Sequence, residues 1–390
     1  MSKEEFKSLI APTVPVAVLY FLMNFSAWLW YALFGKYLVI DLGFSGEELG
    51  FVMMIYNLSF AVSTFPSGKL SDIIGSKKVL FSGIIIYSLG ILFMAYSLNV
   101  SSMAIACAIT GFGEGLFLTS ATVHAVKSGG VRRVSTTYGF VLSAGILGEV
   151  LGSLMSGSVK EYLGSQLLFF ASSFVPILSS PFLAFVKEEF HGTRSKKSST
   201  GLLQLLRSHT VLRLMAIGLI FHAIGYNMIS PFISVHAGAV GLSDKDIGIV
   251  NFTWLLSMFL TILPWSILAD RVGSKLVLAG HVFFSSISWI AYAFTGDFTS
   301  LILAAIFMGI VGSMDLPSRR RLLAESAGGE GIGTLIGALD LFTMLSSIPA
   351  PIFGGAVYGL AGFRGVFWVG FVVNLIGVPF LLRVKVRGGD

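Results

Sequence analysis

The sequence predicts an all-α membrane protein of twelve transmembrane helices in two parallel six-helix repeats. Composition, the spacing of apolar runs and an internal duplication carry that expectation. Of 390 residues, 55% are hydrophobic and 12% charged, against roughly 25% charged in a water-soluble globule. A spanning helix needs ~20 apolar residues, and twelve apolar runs of about that length follow one another along the chain. Sliding the second half over the first by 198 positions then aligns long stretches without a gap.

The runs, numbered span 1 to span 12, lie near 13–35, 47–67, 79–98, 101–126, 135–158, 165–186, 211–234, 246–267, 276–295, 299–323, 332–358 and 364–382. Each is expected to be a helix, because a lipid-facing backbone must satisfy its own hydrogen bonds and no period-two alternation suggests a barrel. Span 1 is too long for a cleaved signal and lacks a small-residue cleavage site. The stretch 187–210, KEEFHGTRSKKSSTGLLQLLRSHT, is the one long polar connection. Its Ser, Thr and Lys content suits a flexible cytoplasmic linker between an N-terminal bundle, 1–186, and a C-terminal bundle, 211–390. Cys107 is the single cysteine, so no internal disulfide is possible.

Charge placement gives an orientation. With the N-terminus inside, 22 of the 26 Lys and Arg residues fall on the inner side and four, Lys36, Lys160, Lys245 and Arg364, on the outer. That bias puts both termini in the cytoplasm of a multi-pass plasma-membrane protein. It also accounts for the net charge of +6 through an anionic inner leaflet, with no nucleic-acid partner required.

In the duplication Gly43, Ser45, Gly50, Pro66, Leu70, Asp72, Gly75, Ser76 and Lys77 meet Gly241, Ser243, Gly248, Pro264, Leu268, Asp270, Gly273, Ser274 and Lys275. An even number of spans per half makes the repeats parallel, and transporters built this way place substrate between their halves. The loop Gly68-Lys-Leu-Ser-Asp72-Ile-Ile-Gly75-Ser-Lys77-Lys78, echoed as Ser266-Ile-Leu-Ala-Asp270-Arg271-Val-Gly273-Ser-Lys275, resembles the G-x-L-x-D-R-x-G-R-K loop of the major facilitator superfamily. The likeness covers essentially the whole chain. It departs at Ile73, for the usual Arg, and at Ser266, for Gly, so the first copy is expected to pack more closely, at Gly68. Gly75 and Gly273 suit a tight reversal, while Lys77 and Lys78 can reach headgroups. The resemblance implies that this is a gating loop and that Asp72 docks on the N-terminus of span 11, near Gly331 to Thr334.

Ionisable residues inside a bilayer are costly and functional by default. Spans 4, 5, 10 and 11 carry Glu114, Glu149, Asp315 and Asp340, and His222 lies in span 7. Counted at 1.5 Å per residue from the inner ends, Glu114 and Glu149 share one depth, ~18–21 Å, and Asp315 and Asp340 another, ~12 Å. Two carboxylates in low dielectric cannot both ionise cheaply, so these positions are the candidate proton-coupling sites. For Asp315 the alternative is an ion pair with Arg319 at i+4; for His222 it is a hydrogen bond across helices. The stretch Ala144-Gly-Ile-Leu-Gly148-Glu149-Val-Leu-Gly152-Ser153 is similar to the g-x-x-x-G-P-x-x-G-G motif of drug/proton antiporters, with Glu149 at the proline position. Cys107 stands where many relatives have an arginine linked to proton coupling, so Glu114 and Glu149 would have to supply that chemistry.

Asn24 and His222 are repeat mates. Around them Trp28 and Tyr31 in span 1, Tyr56 and Asn57 in span 2, Tyr226 and Asn227 in span 7, and Asn251 and Trp254 in span 8 form the candidate substrate-binding set. An aromatic lining with scattered amides favours amphipathic or aromatic small molecules over phosphorylated ones. The same residues can instead serve as interhelical glue. The sequence has no metal-ligand cluster, hydrolase constellation or G-x-x-x-x-G-K-[ST] loop, so no cofactor, metal or enzymatic activity is expected and the energy source is a gradient. These features imply a monomeric secondary active transporter working by alternating access, exporting a small amphipathic or drug-like compound against proton entry. The alternatives are a proton symporter or uniporter importing a metabolite, and a non-transporting membrane sensor or scaffold.

Overall fold

The computed structural model describes residues 11–186, 206–327 and 332–385; of residues 65, 129–136, 327 and 332–334 only the backbone is described. The helices are α1 Val14–Lys36, α2 Gly46–Ile74, α3 Ser76–Met94, α4 Val100–Ser179, α5 Thr210–Ala239 and α6 Asp244–Val272. They continue as α7 Ser274–Ala293, α8 Phe298–Gly312, α9 Asp315–Ala327, α10 Ile332–Ser347 and α11 Ala350–Leu382. No strand occurs among the described residues.

Among the described residues ten helical stretches are long and apolar enough to cross a membrane, and two of them, Thr137–Phe185 and Leu335–Leu382, run to 49 and 48 residues. Such lengths correspond to ~70 Å of helix, more than twice the ~30 Å hydrocarbon core. Each therefore contains two crossings, which restores the expected twelve. The breaks fall at Gly164, with φ +83°, and at its repeat mate Gly362, with φ +65°. A Cβ at either would stand in open space, so the positive φ itself is what calls for glycine, which alone enters this region without penalty.

The duplication extends to the capping chemistry. Ser45 and Glu48 cap α2 reciprocally, Ser45 Oγ accepting from Glu48 N and Glu48 Oε2 from Ser45 N. Their mates Ser243 and Asp246 do the same at α6. Asn99 accepts from Ser102 N at the start of α4, and its mate Asp297 accepts from Ser300 N at the start of α8. Such caps satisfy amides that a helix start leaves open.

One expected helix divides. Span 10 becomes α8 and α9, separated by Ser313 and Met314. Pro317 has no N–H to donate to Ser313 O, and Ser318 Oγ turns back to Met314 O and Asp315 O, at 2.5 and 3.0 Å. Asp315 consequently opens α9, where the helix dipole favours a negative charge.

The chain forms two compact units: Met1–Phe44, Phe51–Arg194 and Leu242–Phe252 in the first, Ser45–Gly50, Ser195–Gly241 and Thr253–Asp390 in the second. In the first unit small residues bring backbones together. Gly148 and Gly152 of α4 lie on the backbone of Phe21 and Phe25 in α1, a close approach that small residues allow. Gly157 of α4 likewise lies on the backbone of Asp244 and Lys245 in α6. In the second unit Leu212, Met215 and Leu219 of α5 meet Leu278 and Val282 of α7, Leu322 and Leu323 of α9, and Leu339 of α10. Gly68, where close packing was expected, has open space where a Cβ would stand. Its glycine serves no helix contact among the described residues.

Candidate functional site

In the first unit α1 presents Asn24, Trp28 and Tyr31, and α2 presents Tyr56 and Asn57. Asn24 is 7% exposed and donates to Tyr20 O of its own helix at 2.7 Å. Trp28, Tyr31, Tyr56 and Asn57 are partly exposed, and Trp28 meets Tyr31 edge-on at 5.5 Å. Behind them Trp30, fully buried, donates to Tyr87 Oη at 3.2 Å and meets Tyr56 edge-on at 6.2 Å. Asn251 bridges α6 to α1, donating to Ile247 O and to Ala32 O at 3.0 and 3.3 Å. That amide acts as interhelical glue.

Two intramembrane acids of this unit, Glu114 and Glu149, lie near each other. Glu114, 8% exposed, accepts a short hydrogen bond from Tyr56 Oη. Glu149 is hydrogen-bonded by Trp28 and lies close enough to Glu114 for the two carboxylates to interact. Neither forms an ion pair with a basic side chain among the described residues. The depth count thus brings together two acids, with aromatic donors in place of cations.

The second unit treats its acids differently. Arg319 holds Asp315 through both oxygens, Nε to Oδ1 at 2.9 Å and Nη2 to Oδ2 at 2.5 Å. Arg320 holds Asp340 at 2.9 Å. Each of these acids carries a basic partner: for Asp315 this is the ion-pair alternative, and for Asp340 the pair with Arg320 was not foreseen. His222 places Nδ1 3.0 Å from Asn374 Oδ1 and Nε2 3.2 Å from His281 Nε2, and it stacks on Trp289 with ring centroids 5.9 Å apart. Tyr226 stacks on His222 at 6.5 Å, Asn227 donates to Ala223 O within its helix at 2.9 Å, and Trp254 approaches Gly309 of α8 through its backbone.

His281 lies outside the candidate residues read from the sequence. Its repeat mate is Gly83, which packs against the carbonyl of Gly113; in the second unit His281 Nδ1 bonds Val311 O, the mate of that carbonyl, at 2.9 Å. A glycine contact replaced by histidine is the signal that a comparison of the repeats could have used.

The gating loops have matching geometry. Gly75 and Gly273 stand at the N-caps of α3 and α7 with φ +93° and +95°. Lys77 is partly exposed, Lys78 and Arg271 exposed. Asp72 pairs with Lys127 of α4 at 2.7 Å, and its mate Asp270 pairs with Arg321 of α9. The dock expected for Asp72, near Gly331 to Thr334, lies outside the residues whose side chains are described.

At the opposite end of the first unit four charges meet. Lys36 pairs with Asp244 at 2.5 Å, and Lys160, 6% exposed, pairs with Asp41 and, at 3.1 Å, with Asp244.

With this geometry in place the known proteins become informative. The sequence profile described as Major Facilitator Superfamily matches residues 16–216 and again 215–389. The chain belongs to the major facilitator superfamily. Multidrug resistance protein 2 of Bacillus subtilis (strain 168) is 22% identical over 358 residues, 89% of this chain and 88% of that protein. Quinolone resistance protein NorA of Staphylococcus aureus (strain COL) is 22% identical over 354 residues, 88% of this chain and 89% of that one. The crystal structure of the nucleoside transporter NupG superposes with a TM-score of 0.77 at 15% identity, covering 96% of this chain and 100% of that chain. That last likeness shows a shared fold. As a member of the superfamily the chain is a multi-pass membrane transport protein.

Proposed function

We propose that this transporter exports small amphipathic or aromatic compounds across the plasma membrane in exchange for protons, with both termini cytoplasmic and the chain acting as a monomer. The carrying observation is the contrast in acid chemistry. Glu114 and Glu149 lie together on hydrogen-bond donors from Tyr56 and Trp28, while Asp315 and Asp340 are held by Arg319 and Arg320. One proton relieves the repulsion between two adjacent acids that lack a cation; an arginine removes any need for it.

Trp28 and Tyr56 serve two purposes in this reading. Each donates to an acid and each presents a partly exposed aromatic ring. Substrate and proton occupancy therefore act through the same two side chains, which couples substrate binding to proton binding at this pair. Phosphorylated compounds are disfavoured, because the basic residues Arg319 and Arg320 are already engaged. The names of the two resistance relatives support export of drug-like molecules.

The test is accumulation of a fluorescent amphipathic dye by cells carrying the transporter. Low accumulation that rises to the control level when the pH gradient is collapsed supports proton-driven export. Accumulation that falls on collapse points to import and overturns the reading.

A further inference from the structure

Neither the acids of the first unit nor the gating loops account for the cluster of His222, His281 and Asp315. The ligand atoms of these three side chains lie within 4.8 Å of one another. His281 is 3% exposed, and His222 and Asp315 keep partial exposure. The three residues come from α5, α7 and the first turn of α9, so the cluster joins helices distant in sequence.

Hydrogen bonding fixes which nitrogen of each ring carries its proton. His281 Nδ1 stands 2.9 Å from Val311 O, and a backbone carbonyl only accepts, so that nitrogen is N–H. His222 Nδ1 stands 3.0 Å from Asn374 Oδ1. The orientation of the Asn374 amide is set independently, because its nitrogen donates to Val282 O and Ser286 Oγ, each at 2.8 Å. The oxygen therefore faces His222, and that Nδ1 is N–H as well. Both neutral rings then turn unprotonated Nε2 atoms toward each other across 3.2 Å. Two lone pairs at that separation repel, and a cation between them reverses the sign.

We infer that His222, His281 and Asp315 form a binding site for a divalent transition metal of the Zn2+, Co2+ or Ni2+ class. Two imidazole nitrogens on a tetrahedral ion at about 2.0–2.1 Å stand about 3.3 Å apart, and the observed 3.2 Å needs little change. Nδ1–H bonded to an acceptor while Nε2 is left for the metal is the arrangement that orients metal-binding histidines. Two nitrogens and one carboxylate suit these ions over Mg2+ or Ca2+, which prefer all-oxygen sites. The fourth position is open to water. Arg319 competes for the Asp315 carboxylate through both of its oxygens, so it tunes the site against the ion.

Tag-free purified protein is titrated with Co2+ alone and followed by visible d–d absorption, with Zn2+ added afterwards and thermal unfolding measured in parallel. The site gives intense tetrahedral bands at one Co2+ per chain, bleached by Zn2+, and a rise in Tm with Zn2+. H281Q and H222Q lose both signals. N374A, which frees the His222 ring while retaining all three ligands, weakens binding about 10- to 100-fold. R319Q binds more tightly than wild type, an effect that a merely structural cluster would not produce. Bands and Tm shifts unchanged in H281Q and H222Q, or absent from wild type and R319Q alike, overturn the assignment and leave a shared proton between the rings. The outcome is independent of the dye experiment, since the proposed proton pair, Glu114 and Glu149, supplies none of the ligands.

Discussion

Lys160 and Asp244 form an ion pair of 3.1 Å, and their repeat mates Tyr358 and Gly46 meet at the equivalent place with no charge between them. The backbone contact beneath is common to both: Gly157 on Asp244 in one unit, Gly355 on Gly46 in the other. A close helix approach has thus been kept in both repeats while its polar cover diverged. The first unit adds Lys36 and Asp41 to make two cations and two anions, whereas the second packs an aromatic ring.

Removing one member of the four-charge cluster leaves a charge uncompensated. D244N should lower stability at or below the ~3–5 kcal/mol typical of breaking fully buried pairs, because Asp41 retains 29% side-chain exposure. K160M combined with D244N should recover part of the loss. Thermal unfolding in detergent measures both, and an unshifted Tm in D244N would show that water replaces the ion pair without penalty.

Gly157→Val places a branched side chain against the backbone of α6. Overpacking of this kind typically costs ~1–3 kcal/mol. Gly355→Val should behave the same way at the Gly46 contact, and a neutral result in either would deny the close approach. Unfolding temperature again reads the effect.

Gly75 and Gly68, seven residues apart, should answer oppositely to alanine. Gly75 holds φ +93° and ψ 142°, a region nearly closed to other residues, so G75A should cost ~1–3 kcal/mol. Gly68 lies inside α2 with open space around it, so G68A should stabilise by up to ~1 kcal/mol through helix propensity. Equal Tm values for the two variants would contradict the backbone assignment.

The loop aspartate Asp72 is 64% exposed and its pair with Lys127 is a surface one, worth ~0–1 kcal/mol. D72N should therefore fold and insert normally while changing transport rate. Wild-type transport together with unchanged two-sided cysteine accessibility would remove Asp72 from gating.

Asp297, outside the spans, caps α8 and is held below the usual carboxylate range mainly by the Ser300 amide and hydroxyl. A lowered folded value means its stabilisation is complete above the unfolded carboxylate range and fades as pH falls through the folded value. D297N should flatten that acid-side decline in Tm. An identical decline in wild type and D297N would place the acid sensitivity elsewhere.

Much of this was legible in the sequence, for reasons that differ by residue. The repeats, caps and reversals recur at one offset, so Gly75 and Gly273 or Ser45 and Ser243 announce each other. The Asp315–Arg319 pair is visible because i and i+4 share a helix face. Arg320 and Asp340 are 20 positions apart and Lys36 and Asp244 208 apart; such pairs depend on tertiary packing that no local pattern encodes. The depth count brought Glu114 and Glu149 together but could not show that Tyr56 and Trp28 would be their donors. Asn251 illustrates the converse: an amide at a plausible binding position whose hydrogen bonds go to two backbones.

The central claim is that the Glu114–Glu149 pair carries the coupled proton. Proteoliposomes containing wild type, E114Q or E149Q, compared for transport driven by an imposed pH gradient and for exchange of labelled against unlabelled substrate with no gradient, test it most directly. E149Q should lose gradient-driven transport and keep exchange. Full gradient-driven transport in E149Q would contradict it.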